Sequence, residues 1–229
     1  MRDALKNGEL KVLGRLVDAS NASLLCDVED TDGSTTRVIY KPIAGERPLW
    51  DFPEGNLAGR EVATYLLSEL LGLGVVPETI LRDGPYGMGA VQRWIEVDES
   101  IDTTQYADSL KPAIRKIAFL DAIVNNTDRK FGHLLPKNDY EIYGCDHGLT
   151  FHQVEKLRTV LWQFAGEAFN FEEVEGLKSL MRLMPLGVLK DHISAPEMTA
   201  LEKRVQKLLK AGEFPQPSEE WPSVPWPPF

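Results

Sequence analysis

The pattern of apolar and polar positions along this chain changes character about two-fifths of the way through. Residues 10 to 43 alternate with a period near two. The runs LKVLGRLV, SLLCDVED and RVIYKPI are rich in β-formers, and turn residues at Asp18 to Asn21 and Thr31 to Gly33 separate them, which predicts three strands. A Gly/Pro-rich loop, AGERPLWDFPEGNL, follows at 44–57. From Gly59 to Leu73, Val62, Tyr65, Leu66, Glu69, Leu70 and Leu73 keep helical spacing before Gly72 and Gly74 stop it. VVPETILRD and GMGAVQRWIEV then read as a hairpin around Gly84-Pro85.

Beyond residue 97 the period lengthens. Leu110 to Asn125 predicts a helix whose apolar face holds Ile114, Ile117, Ala118, Leu120 and Val124, with Asp121 as its odd member. A polar loop covers 126–132, and HLLP and EIYGCD predict a short strand pair, the second ending at Asp146. LRTVLWQFAGEAF, FEEVEGLKSLMRLM and PEMTALEKRVQKLLKAG predict helices through most of 155–210. The tail PQPSEEWPSVPWPPF is too proline-rich for regular structure. It predicts either a linker end or an extended arm whose tryptophans pack on the body or engage a protein partner. There is no internal repeat. The expected organisation is a β-rich lobe at 1–97, a helical lobe at 98–213 with a cleft between them, and a tail at 214–229.

Composition adds bounds. The chain has 229 residues, 43% hydrophobic and 26% charged, which is ordinary for a globular protein. A net charge of −10 argues against nucleic-acid or anionic-membrane partners, which require a basic face. Cys26 and Cys145 sit in apolar, strand-like surroundings and read as buried thiols. The absence of an apolar leader or of a run near the roughly 20 residues of a membrane span predicts a cytoplasmic location with no transmembrane segment.

The chemistry concentrates in FLDAIVNNTDRKFGHLLPKNDYEIYGCDHGLTF, residues 119–151. Asp128 follows a helix in Asn-Thr-Asp-Arg, and Asp146 precedes His-Gly-Leu with a strand pair between the two. Kinases place a proton-accepting aspartate and a metal-binding aspartate around the phosphates of ATP in this layout. Arg129 is placed to stabilise the loop or to neutralise phosphate charge. Each aspartate alone reads equally as a turn residue; the ordered pair is the signal. Lys41, at the end of a strand, is a candidate for the ATP phosphates, with Glu61 on the following helix as its partner. Ser20, Asn21 and Ser23 lie in a small polar turn that lets backbone N–H groups approach phosphate, although no GxGxxG is present. His133, His147 and His152 crowd the same region and leave room for a transition-metal phosphohydrolase.

Taken together, NNTDRKFGH and CDHGLTF resemble the catalytic loop (Asp-Arg-x-x-x-Asn) and metal motif (Asp-x-Gly-Leu-x-Phe) of the phosphatidylinositol 3-/4-kinase superfamily, and are most similar to its short bacterial branch. The resemblance spans residues 10 to 165. It implies an α+β, bilobal protein-kinase-like fold and ATP with Mg²⁺ or Mn²⁺ as cofactors. It implies Lys41 and Glu61 as the phosphate-orienting pair, Asp128 as catalytic aspartate and Asp146 as metal ligand. Gln92, Arg93, Trp94, Ile95 and Glu96 fall at its adenine-holding hinge. His133 stands where the family has a metal-binding asparagine, and imidazole suits Mn²⁺ better than Mg²⁺. The resulting expectation is an ATP-dependent phosphotransferase acting on an unknown hydroxyl acceptor (protein, small molecule or lipid). A nucleotide-binding pseudokinase serving as an interaction module is the alternative.

Overall fold

The computed structural model describes residues 2–16, 22–47, 49–52 and 56–229. Five strands, β1 (Glu9–Arg15), β2 (Leu24–Glu29), β3 (Thr35–Pro42), β4 (Thr79–Gly84) and β5 (Gly87–Arg93), form one antiparallel sheet in the order β1-β2-β3-β5-β4. The period-two pattern decides what each face does. Leu24, Cys26 and Val28 on β2, with Val38 and Tyr40 on β3 and Val91 on β5, form a buried cluster with Leu5 and Leu10. Leu5 belongs to a helix that the sequence pattern did not announce, α1 (Arg2–Asn7). On the opposite face Ile39 pairs with Gln92, and Lys41 with Ala90.

That second face is covered in part by α2 (Leu57–Leu70), whose Ala58 and Val62 pack on Ala90. Asn56 caps α2 from a left-handed conformation (φ 57°), and its side chain accepts from the Gly59 N–H at 3.0 Å. Gly59 has to be glycine, because a Cβ there would lie 2.5 Å from the His192 carbonyl oxygen. The other side of α2, through Ala63, Tyr65 and Leu67, enters the larger apolar core, so one helix ties the sheet to the helical part.

That larger core is built on α4 (Pro112–Val124), α5 (Phe171–Leu183) and α6 (Ala195–Ala211), with the short α3 (Thr103–Ala107) at its edge. The starts of α5 and α6 are written in sequence as capping boxes, Asn170 with Glu173 and Ser194 with Glu197. Between α4 and α5, β6 (Leu134–Pro136) and β7 (Ile142–Gly144) form the expected small pair. β7 stops two residues short of Asp146.

The helix expected over LRTVLWQFAGEAF does not form; a 3₁₀ turn at Trp162–Phe164 is its only helical part. Tertiary pairing overrides the local periodicity. The Arg129 N–H donates to the Arg158 carbonyl and the Val160 N–H to the Arg129 carbonyl, pulling 158–160 alongside the Asp128 loop. Gly166, at φ 72°, then turns the chain so that Leu161, Phe164 and Phe169 all reach the core. The tail is an arm packed on the body. Ser223 accepts from the Thr159 N–H at 3.0 Å and from Trp162 Nε1 at 2.8 Å, and the Phe131 N–H donates to Pro228 at 2.8 Å. Cys26 and Cys145 are both free thiols. Among the described residues no helix is long and apolar enough to cross a membrane.

Candidate active site

The cleft face of the sheet, the end of β5 and the two loops after α4 enclose a cleft of about 440 Å³. That lies within the roughly 300–1,000 Å³ of small-molecule sites. Its apolar end is walled by Leu16, Ile39, Trp94, Ile95, Val97 and Leu135, and its polar end holds Lys41, His133 and Asp146.

At the polar end Lys41 is the hub. Its Nζ donates to Glu61 Oε1 and, at 2.9 Å, to Asp146 Oδ1. Glu61 itself is held by α2, and its second oxygen accepts from the His147 N–H at 3.0 Å. One buried carboxylate on α2 therefore fixes both the β3 lysine and the backbone just after Asp146. Burial pulls the Lys41 ammonium down, but Asp146 and Glu61 outweigh it and hold its pKa above the ordinary lysine value. Lys41 in turn drives Asp146 well below the usual carboxylate range, against burial, with His133 adding to the fall. Burial raises Glu61, and Lys41 opposes it. Asp146 is thus a committed anion with 49% of its side chain exposed to the cleft.

Asp128 is 22% exposed, and its Oδ2 lies 3.3 Å from Lys130 Nζ. Burial raises the Asp128 pKa, and Lys130 and His133 work against it. A carboxylate with a raised pKa accepts a proton more readily. His133 Nε2 lies 3.4 Å from Asp146 Oδ2, and its Nδ1 is buried with no hydrogen-bond partner. Burial lowers the His133 pKa and so favours the unprotonated ring, which has a lone pair to offer.

Arg129 is not in the cleft. Its fully buried guanidinium grips Asp121 through Nε and one terminal nitrogen, each at 2.9 Å, and donates to the Cys145 carbonyl at 2.9 Å. It also meets His147 Nε2 at 2.7 Å. Of the two roles expected for it, the structure assigns loop stabilisation: with every face of the fork occupied, none is left for phosphate. Asn126 completes the knot, donating to Asp121 Oδ1 at 2.9 Å and accepting from the Asp128 N–H at 3.0 Å.

The two loops are also strained in the same place. Asn125, Asp146 and Phe151 all adopt positive φ, at 52°, 57° and 60°, conformations unfavourable to non-glycine residues and most of all to a phenylalanine. They persist because the surroundings over-determine them. The Thr127 N–H donates to Leu149 at 3.0 Å, the Phe151 N–H donates to Val124, and the Thr150 hydroxyl donates to His147 at 2.7 Å.

The structure therefore brings together Lys41, Glu61, Asp128, His133 and Asp146. Gln92, Arg93, Trp94 and Ile95 line the opposite end of the cleft, where the Trp94 N–H is taken by Arg37 and the Arg93 side chain by Glu78 at 2.8 Å. Ser23 also lines it, whereas Ser20 and Asn21 lie outside the described residues. Sequence reasoning missed Lys130, Asn126 and the structural role of Asp121. The signal for Asp121 was present, since a lone acid on the apolar face of a helix calls for a buried cation. His152 does not join the cluster; its ring packs on Phe52 with centroids 5.1 Å apart. Among the described residues no group of three or more His, Cys, Asp or Glu is arranged to hold a metal by itself.

Comparison with known proteins gives the fold a context. No family model matches the chain. Protein Rv2133c of Mycobacterium tuberculosis is 39% identical over 266 aligned positions, covering 98% of this chain and 94% of that protein. Among solved structures, hydra Fam20 with sugar superposes with a TM-score of 0.57 at 12% identity, covering 91% of this chain and 86% of that one. The Golgi casein kinase with Mn/ADP bound superposes with a TM-score of 0.54 at 14% identity, covering 91% and 74%. At these identities the likeness establishes the fold, which is α+β and kinase-like.

Proposed function

We propose that this chain, which belongs to the same family as protein Rv2133c of Mycobacterium tuberculosis, is an ATP-dependent phosphotransferase. One observation carries the reading. A β3 lysine is clasped between a buried helix glutamate and a loop aspartate at one end of a cleft whose other end is apolar. Phosphoryl transfer asks for little covalent chemistry from a protein and much positioning of charge, and this arrangement supplies it.

In the proposed reaction the base lies against Ile39, Trp94, Ile95 and Leu135, and Lys41 meets the α/β-phosphates. Lys130, held near Asp128, steadies the transferring phosphate. Asp128 accepts the proton of the acceptor hydroxyl as that oxygen attacks. The donor set fits a divalent cation: Asp146 offers a committed carboxylate, and His133 an imidazole with Nε2 towards it. Such a cation neutralises charge on the phosphates when bound. A carboxylate–imidazole pair favours Mn²⁺ over Mg²⁺ more than a carboxylate–amide pair does.

The motif likeness to phosphatidylinositol 3-/4-kinases supports an alcohol acceptor. The two bases of the segment after Asp146 argue against a strongly anionic one. Lys156 is spent on Asp51 at 2.8 Å, and Arg158 on the Pro222 carbonyl. His133 also motivates a second reading, a pseudokinase that binds nucleotide without turnover.

Calorimetric titration of ATP with Mg²⁺, with Mn²⁺ and with chelator tests the proposal. Metal-dependent binding that Asp146→Asn weakens at least tenfold is expected. Metal-independent binding favours the pseudokinase, and no binding removes the nucleotide from the cleft altogether.

A further inference from the structure

Lys156, in the segment after Asp146, is a lysine with only 7% of its surface exposed. Its ammonium donates to Asp51 Oδ1 at 2.8 Å. It also lies over two indole rings, 5.1 Å from the centroid of Trp50 and 4.4 Å from that of Trp221. Both fall within the roughly 6 Å over which an aromatic face attracts a cation, and the attraction grows where water is excluded. The backbone is fixed separately, the Lys156 N–H donating at 2.9 Å to Oδ1 of Asn125, the residue that ends α4. A stem anchored on the helical part thus carries its charge to the loop between β3 and α2.

Contacts continue from that loop to the cleft. Phe52, beside Asp51, is 5% exposed and meets the His152 ring edge-on. His152 is itself tied to the loop, its Nε2 lying 3.1 Å from the Asp51 carbonyl. The Arg60 guanidinium lies 4.7 Å from the Phe52 centroid and pairs with Glu197 of α6 at 2.6 Å. The next residue of α2 is Glu61, which holds Lys41 with one oxygen and the His147 N–H with the other.

We infer that Lys156 is a positioning residue: clasped by Asp51, Trp50 and Trp221, it holds the start of α2 and so sets where Glu61 presents Lys41. The inference rests on the phosphotransferase reading for the task that Glu61 and Lys41 perform. It also gives the C-terminal arm a part in the site, because Trp221 is one wall of the clasp. A group that only stabilised the fold would speed exchange at all deeply buried amides together, whereas a positioning group moves those bonded to Glu61 first.

The test is amide hydrogen exchange of the full chain without nucleotide, read at the His147 N–H, which is bonded to Glu61. Lys156→Met keeps the stem and removes the charge. It is expected to speed His147 exchange at least about tenfold relative to the Leu120 and Ile123 amides of α4. Lys156→Arg, which keeps the charge between the rings, should stay within about twofold of wild type. Trp50 is 83% exposed, so Trp50→Ala carries the test if Lys156→Met does not fold, with at least about a threefold rise expected. A His147 rate that is unchanged, or that rises only in step with α4, would overturn the inference. Calorimetric titration of ATP with Mn²⁺ supplies the second readout. Lys156→Met should weaken binding at least about tenfold in the wild-type background and have no further effect beside Glu61→Gln. An affinity that Lys156→Met leaves unchanged would also overturn the inference. If wild-type protein binds no ATP, the phosphotransferase reading falls, and the exchange result alone decides whether Lys156 positions Glu61.

Discussion

Lys41, Glu61 and Asp146 lie 20 and 85 positions apart in sequence, and the Lys41 ammonium makes one unit of them. In the proposed function, removing Asp146 would do more than delete a ligand; it would leave Lys41 to pair with Glu61 alone. Asp146→Asn is expected to lower any phosphotransfer rate by two orders of magnitude or more. Arg129 should behave in the opposite way. It is fully buried against Asp121, and losing one partner of a buried ion pair costs about 3–5 kcal/mol. Arg129→Ala should cut urea-unfolding stability by that amount; a loss below about 1 kcal/mol would show that the knot is not structural. Sequence alone left Arg129 either loop stabilisation or phosphate neutralisation, because its adjacency to Asp128 cannot reveal that the two side chains point in different directions.

At the scale of elements, what was readable locally was read and what depended on distant partners was not. The strands, α2, α4 and α6 carry periodic patterns, and α5 and α6 carry their own caps. Segment 157–169 has a helical pattern as well, yet its backbone is recruited by the Asp128 loop and by the tail. α1 gave no signal because six residues are too few for a period. The arm is the element whose importance sequence understated. It accepts hydrogen bonds from Thr159, Trp162, Arg158 and Phe131, the last within the loop that carries Asp128. Deleting residues 221–229 is expected to cost about 2–4 kcal/mol, near 1 kcal/mol for each bond, with the melting temperature lowered accordingly. Ser194→Ala, which removes a cap of α6, should cost about 1 kcal/mol in the same assay.

For the whole molecule, the polar cleft is assembled by buried histidines as well as by carboxylates. Burial, reinforced by Arg129, holds His147 far below the ordinary imidazole pKa, and burial lowers His133 and His192. The unfolded chain protonates these rings below about pH 6.5 while the folded one resists, so they subtract stability as pH falls. Glu61 and Asp128, raised by burial, act in the opposite sense, so the His147 share is best read by difference. His147→Gln should reduce the loss of stability between pH 6.5 and 5.5 by about 1 kcal/mol, and an unchanged slope would show that His147 does not contribute to it. The acidic surface, the kinase-like topology and the ordered aspartates all belong to one molecule whose central claim is chemical. The most direct test follows γ-phosphate transfer from ATP, with Mn²⁺, by wild-type protein and Asp128→Ala, using the chain itself and a panel of alcohol acceptors. The proposed function predicts transfer that the variant loses by at least about a hundredfold. Transfer undiminished in Asp128→Ala, or nucleotide bound tightly with no transfer to any acceptor, would contradict it.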